Sequence, residues 1–347
     1  MANGPSDHRT AIVLQGGGAL GAYELGVLQA IYDRRPGFAP SAVAGISIGA
    51  ITAAVLGGAR GDPIATLETL WRDKLTVLPR IPGLGRVPIP FLPRDVEQSL
   101  AVLGNPGMYS LNPEMVLGPL AATSIYETGP LRRTLHELAD LDKINRGDIR
   151  VIVGAMDIET AMIRYFDNAD GAFTFEQTVA SGSLPPGFPM TEVDGRWYWD
   201  GGLFSNTPLG PAINYLESVE PGNDAIHREL IVVELFPRVA PIPRTLPDVV
   251  NRMVQMQYTS RIQLDEKLSR KIDKMLDLIE RIDSELPADS PVRQDPAYVE
   301  LANHRRIEFK VVEAHLDADL TNAGDFSRAS IEARIAAGYA DAERAGL

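Results

Sequence analysis

Gly45-Ile46-Ser47-Ile48-Gly49 sets a serine between small residues, at the junction of a short apolar run and a helical stretch. Small neighbours permit a sharp strand-to-helix turn that lifts a serine hydroxyl above a sheet, as acyl transfer requires of a nucleophile. Alone, G-x-S-x-G is often a plain turn, and its weight here comes from the loop that precedes it. Gly16-Gly17-Gly18-Ala19-Leu20-Gly21 also lies between an apolar run and a helical stretch. Uncrowded amides at the start of a helix attract negative charge, through unpaired donors and the helix dipole. A nucleotide pyrophosphate and the oxyanion of an acyl-transfer transition state would both suit such a loop. The spacing fits G-x-G-x-x-G, but dinucleotide binding also asks for an acidic residue roughly 20 residues further on, ending the second strand. Ser41 to Gly45 has no carboxylate there, and Asp33 comes too early. Oxyanion binding by the loop amides of Gly16, Gly17 and Gly18, with the N–H of Ile48 facing the same point, is therefore the better expectation.

A serine nucleophile needs a base. Asp200 ends a strand containing Trp197 and Trp199 and is followed by Gly201-Gly202. Those glycines let the chain turn away and leave the carboxylate at the carboxyl edge of the sheet, where open α/β sheets hold ligands. An ordinary aspartate, with a pKa of about 3.9, is a weak base at neutral pH, and burial beneath the two tryptophans is expected to raise it. His304 and His315 fall late enough in the chain to complete a histidine triad, but they read as a helix-surface and a strand-end histidine. The chain has five histidines, none at metal-binding spacing, and no cysteine. No metal, no cofactor and no disulfide is expected.

The elements that must position these groups follow from periodicity. Arg9–Gln15 and Ser41–Ala44 read as short buried strands, each followed by a glycine turn and a helix (about Ala19–Tyr32 and Ile48–Leu56). That repeated order belongs to a parallel α/β sheet. Arg150–Ala155, Leu230–Phe236 and Arg306–Val312 read as further strands, and Phe173–Ala180 and Ile331–Ala345 as helices. Val249–Ile282 carries Met, Leu and Ile at steps of three and four, a long amphipathic helix or a kinked pair. Core packing is the ordinary use of such a stripe, with dimerisation or membrane contact left open. Pro36–Ala59 lacks charge, but its Gly, Ala, Ser and Pro content suits a buried strand, turn and helix better than a bilayer span.

The glycine loop, Gly-Ile-Ser-Ile-Gly and Asp-Gly-Gly, in that order, resemble the patatin-like phospholipase family. Ala180-Ser181-Gly182-Ser183-Leu184-Pro185 with Phe188-Pro189, and Asn206 and Pro208, match its pattern as well. The resemblance covers roughly residues 9–210. It implies a single domain over 1–347, a three-layer α/β/α fold with a mostly parallel central sheet, and a helical insertion over 246–305. It also implies a Ser47–Asp200 dyad without histidine, and Gly17 and Gly18 as oxyanion donors. The expected activity is hydrolysis of lipid carboxylic esters through an acyl-serine. A carboxylesterase for small or neutral esters and an idle lipid-binding protein are the alternatives. Many members carry Arg or Lys where this chain has Leu20, which bears on preference for phospholipid.

The chain has 347 residues, 45% hydrophobic and 23% charged, with a formal net charge of −13. That balance suits a folded globular protein and disfavours nucleic acid as a partner. A signal peptide is not evident, so a cytoplasmic location is expected, peripheral at the membrane in one version. The reason for that version is the stretch 78–127, a lid or cap segment. Its start mixes prolines with Phe91, Leu92 and other apolar residues, among Arg80, Arg86 and Arg94. Apolar side chains with local positive charge suit a lipid interface, and Phe91 and Leu92 are the substrate or lid contacts expected from it.

Overall fold

The computed structural model describes residues 8–76, 101–118, 120, 122–220, 225–240, 242–244, 246–302 and 304–347. Its strands are β1 (His8–Leu14), β2 (Ala42–Ile46), β3 (Gly104–Asn105), β4 (Tyr109–Leu111), β5 (Tyr126–Glu127), β6 (Arg150–Asp157), β7 (Ile163–Asp167), β8 (Thr191–Val193), β9 (Arg196–Asp200), β10 (His227–Glu234) and β11 (Glu308–Glu313). The helices are α1 (Ala22–Arg34), α2 (Ile48–Gly58), α3 (Pro63–Glu68), α4 (Gly129–Leu138), α5 (Leu141–Arg146), α6 (Phe175–Ser181), α7 (Leu209–Ser218), α8 (Leu246–Glu285), α9 (Pro296–Ala302) and α10 (Arg328–Arg344).

Eight strands form the central sheet, ordered β11-β10-β1-β2-β6-β9-β8, with β7 paired to β6. The five from β11 to β6 run parallel, while β7 and β9 are antiparallel to β6. Alternate residues of β1 enter two separate cores: Ile12 and Leu14 pack with α1, α2 and α10, whereas Ala11 and Val13 pack with α7. Helices on both faces explain why β1 reads as an unbroken apolar run instead of an alternating one. The three-layer α/β/α architecture expected from sequence is therefore present.

Two departures have clear causes. α1 is buried all round, where a helix on the face of a sheet ordinarily buries one side: every residue from Ala22 to Leu28 is buried, Glu24 included. α10 closes over the side that would otherwise meet solvent. The glycine loop does not enter α1 directly either, since a 3₁₀ turn over Gly18–Gly21 comes first. β10 and β11 are connected through α8, a single helix of 40 residues, and α9. No helix among the described residues is long and apolar enough to cross a membrane.

Sheet register brings the two candidate residues together. β2 ends against β6 with Ile46 opposite Gly154, and β9 ends with Asp200 opposite Ala155. β7 pairs with residues 152–156 of β6, overlapping both partners, so it must occupy the other edge. β2 and β9 thus share one edge of β6 and approach from opposite directions. Their last residues meet end to end, which places Asp200 beside the turn that starts at Ser47.

Candidate active site

Ser47 sits at the N-cap of α2 with φ 55° and ψ −120°. A side-chain-bearing residue held there costs about 1–3 kcal/mol, so its surroundings must impose the turn. Two glycines make it possible. A Cβ on Gly45 would enter the Gly49 carbonyl, and one on Gly49 would enter the Leu14 carbonyl. A third group locks it: the Ser47 N–H donates to Ser181 Oγ at 3.0 Å, and the Ser181 hydroxyl donates to the Gly154 carbonyl at 2.6 Å. In the sequence Ser181 stands out only within Ala180–Pro185, a stretch that takes part in the resemblance. Its grip on the Ser47 amide crosses from α6 to β2, and no local pattern announces it.

Asp200 is 1% exposed, and its Oδ1 accepts from the Gly202 N–H at 2.7 Å. Burial raises its pKa to about 6, opposed by the neighbouring Ser47 hydroxyl and by the hydrogen bond from the Gly202 N–H. The contact with Ser47 falls short of a closed hydrogen bond, because Oδ2 has no partner at hydrogen-bond distance among the described residues. Catalytic hydrogen bonds are commonly long before substrate arrives. The expected cause of burial needs correction. Trp197 is 42% exposed, whereas Tyr198 is fully buried. Strand alternation puts Tyr198 and Asp200 on one face and the tryptophans on the other, so the tryptophans do not cover the carboxylate.

The glycine loop divides into two parts. The Gly16 N–H donates to the Asn206 carbonyl at 3.2 Å, and Asn206 Nδ2 donates back to the Gly16 carbonyl. The expectation of Gly16 as an oxyanion donor is thereby corrected, since its amide is already committed and its part is to tie the loop to the segment after Asp200. The N–H groups of Gly17 and Gly18 meet no backbone acceptor among the described residues. Gly18 has φ +56°, and a Cβ there would lie 2.5 Å from the Ala323 carbonyl oxygen, so only glycine fits. Ile48 follows Ser47 as the first residue of α2, where an N–H has no intrahelical partner. Leu20 is fully buried.

Gly16, Gly17, Gly18, Ser47, Asp200 and Asn206 line one cavity of about 440 Å³. Its remaining wall is largely apolar, with Val102, Met108, Leu184, Phe188, Phe236 and Phe326 among its residues. Part of that wall comes from the small antiparallel sheet β3-β4-β5, which lies inside the stretch expected to form a cap. Tyr109 of β4 packs on Tyr126 of β5 and on Phe188, with ring centroids 4.6 and 5.5 Å apart. Phe91 and Leu92 lie outside the described residues. His304 pairs with Glu217 at 2.7 Å and His315 faces Asp341 at 3.5 Å; neither lines the cavity.

A family model described as patatin-like phospholipase matches residues 12–213, and another described as patatin phospholipase matches residues 256–345. No curated protein matches the chain. Among solved structures, VipD from Legionella pneumophila aligns over 98% of this chain at 15% identity, with a TM-score of 0.41. The alignment covers 66% of that protein, so this chain spans just under two thirds of its length.

Proposed function

Given that this chain belongs to the patatin-like phospholipase family, we propose that it hydrolyses carboxylic esters of lipids through Ser47 and Asp200. The observation that carries the reading is the end-to-end meeting of β2 and β9 on one edge of β6, which sets a serine at a strained turn beside a buried carboxylate. Ser47 Oγ attacks the ester carbonyl carbon while Asp200 takes its proton. Negative charge gathers on the carbonyl oxygen, held by the amides of Gly17, Gly18 and Ile48. The loss of one such donor typically costs about 3–4 kcal/mol in the transition state. Collapse expels the alcohol, which recovers the proton from Asp200, and leaves an acyl group on Ser47. Water then attacks the acyl-serine with Asp200 again as base, releasing the fatty acid and restoring the serine. The apolar cavity wall suits an acyl chain better than a polar substrate.

The pH profile tests the assignment of the base. Asp200 must be ionised to accept the proton, and its pKa is raised to about 6. For a soluble ester, kcat/KM should climb about tenfold per pH unit at low pH and level off above pH about 6. A bend near the ordinary carboxylate value would mean that Asp200 is not held as described. A profile still rising beyond pH 7 would favour a histidine. Covalent labelling by a fluorophosphonate tests the nucleophile: modification should map to Ser47, and modification elsewhere, or none, would end this reading.

Contact with a lipid surface through Phe91 and Leu92 belongs to the same proposal. Replacing both with Asp should lower hydrolysis of phospholipid vesicles several-fold while leaving a short soluble ester within about twofold, because only the aggregated substrate requires interfacial insertion. Equal losses on both substrates would remove the interfacial role.

A further inference from the structure

Arg334, in α10, has no exposed surface. Its guanidinium donates to backbone carbonyls of two distant segments. Nε reaches Leu320 at 2.9 Å, Nη2 reaches Asn322 at 2.8 Å, and Nη1 reaches both Asp325 at 2.6 Å and Ala19 at 3.3 Å. A cation removed from water is costly, and this one lies where an apolar side chain would ordinarily fill the space. Three of its acceptors belong to the turn 320–325. Another acceptor, Ala19, directly follows Gly18 in the glycine loop.

A second stitch runs parallel to the first, since the Ala19 N–H donates to the Ala323 carbonyl at 2.8 Å. Both polar groups of Ala19 are therefore held against the same region of chain. Gly18 lies so close that a Cβ would be 2.5 Å from the Ala323 oxygen. Ala323, Gly324 and Phe326 in turn line the cavity that holds Ser47. The planar five-donor fork of arginine can serve several carbonyls at fixed angles, which a lysine ammonium cannot reproduce.

We propose that Arg334 is a positioning residue for oxyanion binding: by clamping Ala19 to the turn 320–325, it aims the amides of Gly17 and Gly18 at the carbonyl that Ser47 attacks. The inference rests on the reading of Ser47 and those amides given above. It gives the C-terminal segment, matched separately over residues 256–345, a direct bearing on the chemistry.

The test uses Arg334→Lys and Arg334→Met in the full chain, with a soluble p-nitrophenyl ester as substrate and active sites counted by exhaustive fluorophosphonate labelling. Misaimed amides should lower kcat per labelled site about 10- to 100-fold, with KM within about threefold. The rate of phosphonylation should fall in parallel, because the adduct oxygen occupies the same amides. The bend of the pH profile should stay where the wild type has it, because Asp200 is untouched. A lower melting temperature or fewer labelled sites, with kcat per site within about twofold of wild type, would overturn the clamp. Should Arg334→Met fail to fold, Arg334→Lys carries the comparison.

Hydrogen exchange, compared between the wild type and Arg334→Lys, reads the clamp without any substrate. The Ala19 amide should exchange at least about 10-fold faster in Arg334→Lys than in the wild type, because its bond to the Ala323 carbonyl depends on the turn that Arg334 holds. Equal exchange would overturn the inference. A wild-type protein whose Ser47 takes no label would instead sink the reading of the reaction centre, leaving the exchange result to judge the clamp separately.

Discussion

Ser47→Ala should reduce ester hydrolysis by on the order of 10⁴-fold or more, and Asp200→Asn should do nearly the same. Each removes one half of a unit: a hydroxyl without a base attacks slowly, and a base without a hydroxyl has nothing to activate. The double variant should be no slower than the worse single one, because the second change removes a partner already without function. Activity assays on purified protein check all three. An Asp200→Asn variant retaining a tenth of wild-type activity would displace the aspartate from its role. The same variant carries an opposite signature in stability. Asp200 has its pKa raised to about 6 by burial. Its stabilising contribution is therefore present at low pH and is lost as pH rises through that value, when the buried group must ionise. The difference from an ordinary carboxyl amounts to on the order of 3 kcal/mol above pH 6. Asp200→Asn should melt higher than wild type at pH 8 and close to it at pH 4, so the inactive protein is the more stable one. A variant less stable at both pH values would show that the carboxylate is well accommodated.

Gly26→Val should be the most damaging single substitution outside the reaction centre. Gly26 of α1 lies against α10 so closely that a Cβ would enter the Ile335 carbonyl, and Gly338 of α10 meets the Tyr23 carbonyl of α1 in the same way. Both obstacles are backbone atoms, which cannot swing aside as a side-chain tip does. Even Gly26→Ala, which gains about 0.5–1 kcal/mol of helix propensity, should lose about 1–3 kcal/mol net to crowding. The valine variant should lose more, lowering Tm by on the order of 10 °C. Combining Gly26→Ala with Gly338→Ala should cost less than the sum of the two, because the helices need separate only once. Thermal denaturation measures both effects, and strict additivity would show that the two contacts yield independently. α1 leads on from the glycine loop and α10 carries Arg334, so these variants should also lower kcat before they unfold.

Local chemistry made much of the site legible in the sequence. G-x-S-x-G reads correctly as a turn because it answers a demand visible within five residues: the backbone must turn at Ser47, and Gly45 must clear the Gly49 carbonyl. Gly18 is likewise fixed by its own φ. β1, β2, β6 and β10 are legible for a related reason, since burial on both faces gives each a central apolar run. The antiparallel β7, β8 and β9 are harder to read, because their faces meet different surroundings. In β9 that led to a wrong expectation: two tryptophans beside an aspartate suggest an apolar cover, yet strand alternation turns them away from it.

What the sequence by itself determined is which serine and which carboxylate are candidates and the turns that present them, because those depend on residues close together in the chain. Tertiary structure alone decided how they are joined. That β2 and β9 abut on one edge of β6, that Asn206 takes up the Gly16 amide, that Ser181 holds Ser47, and that Arg334 reaches Ala19 are all pairings between distant segments. No local pattern at either partner announces the pairing. A hydrogen bond between residues far apart is specified by the packing of whole elements, which leaves no periodic trace at either end.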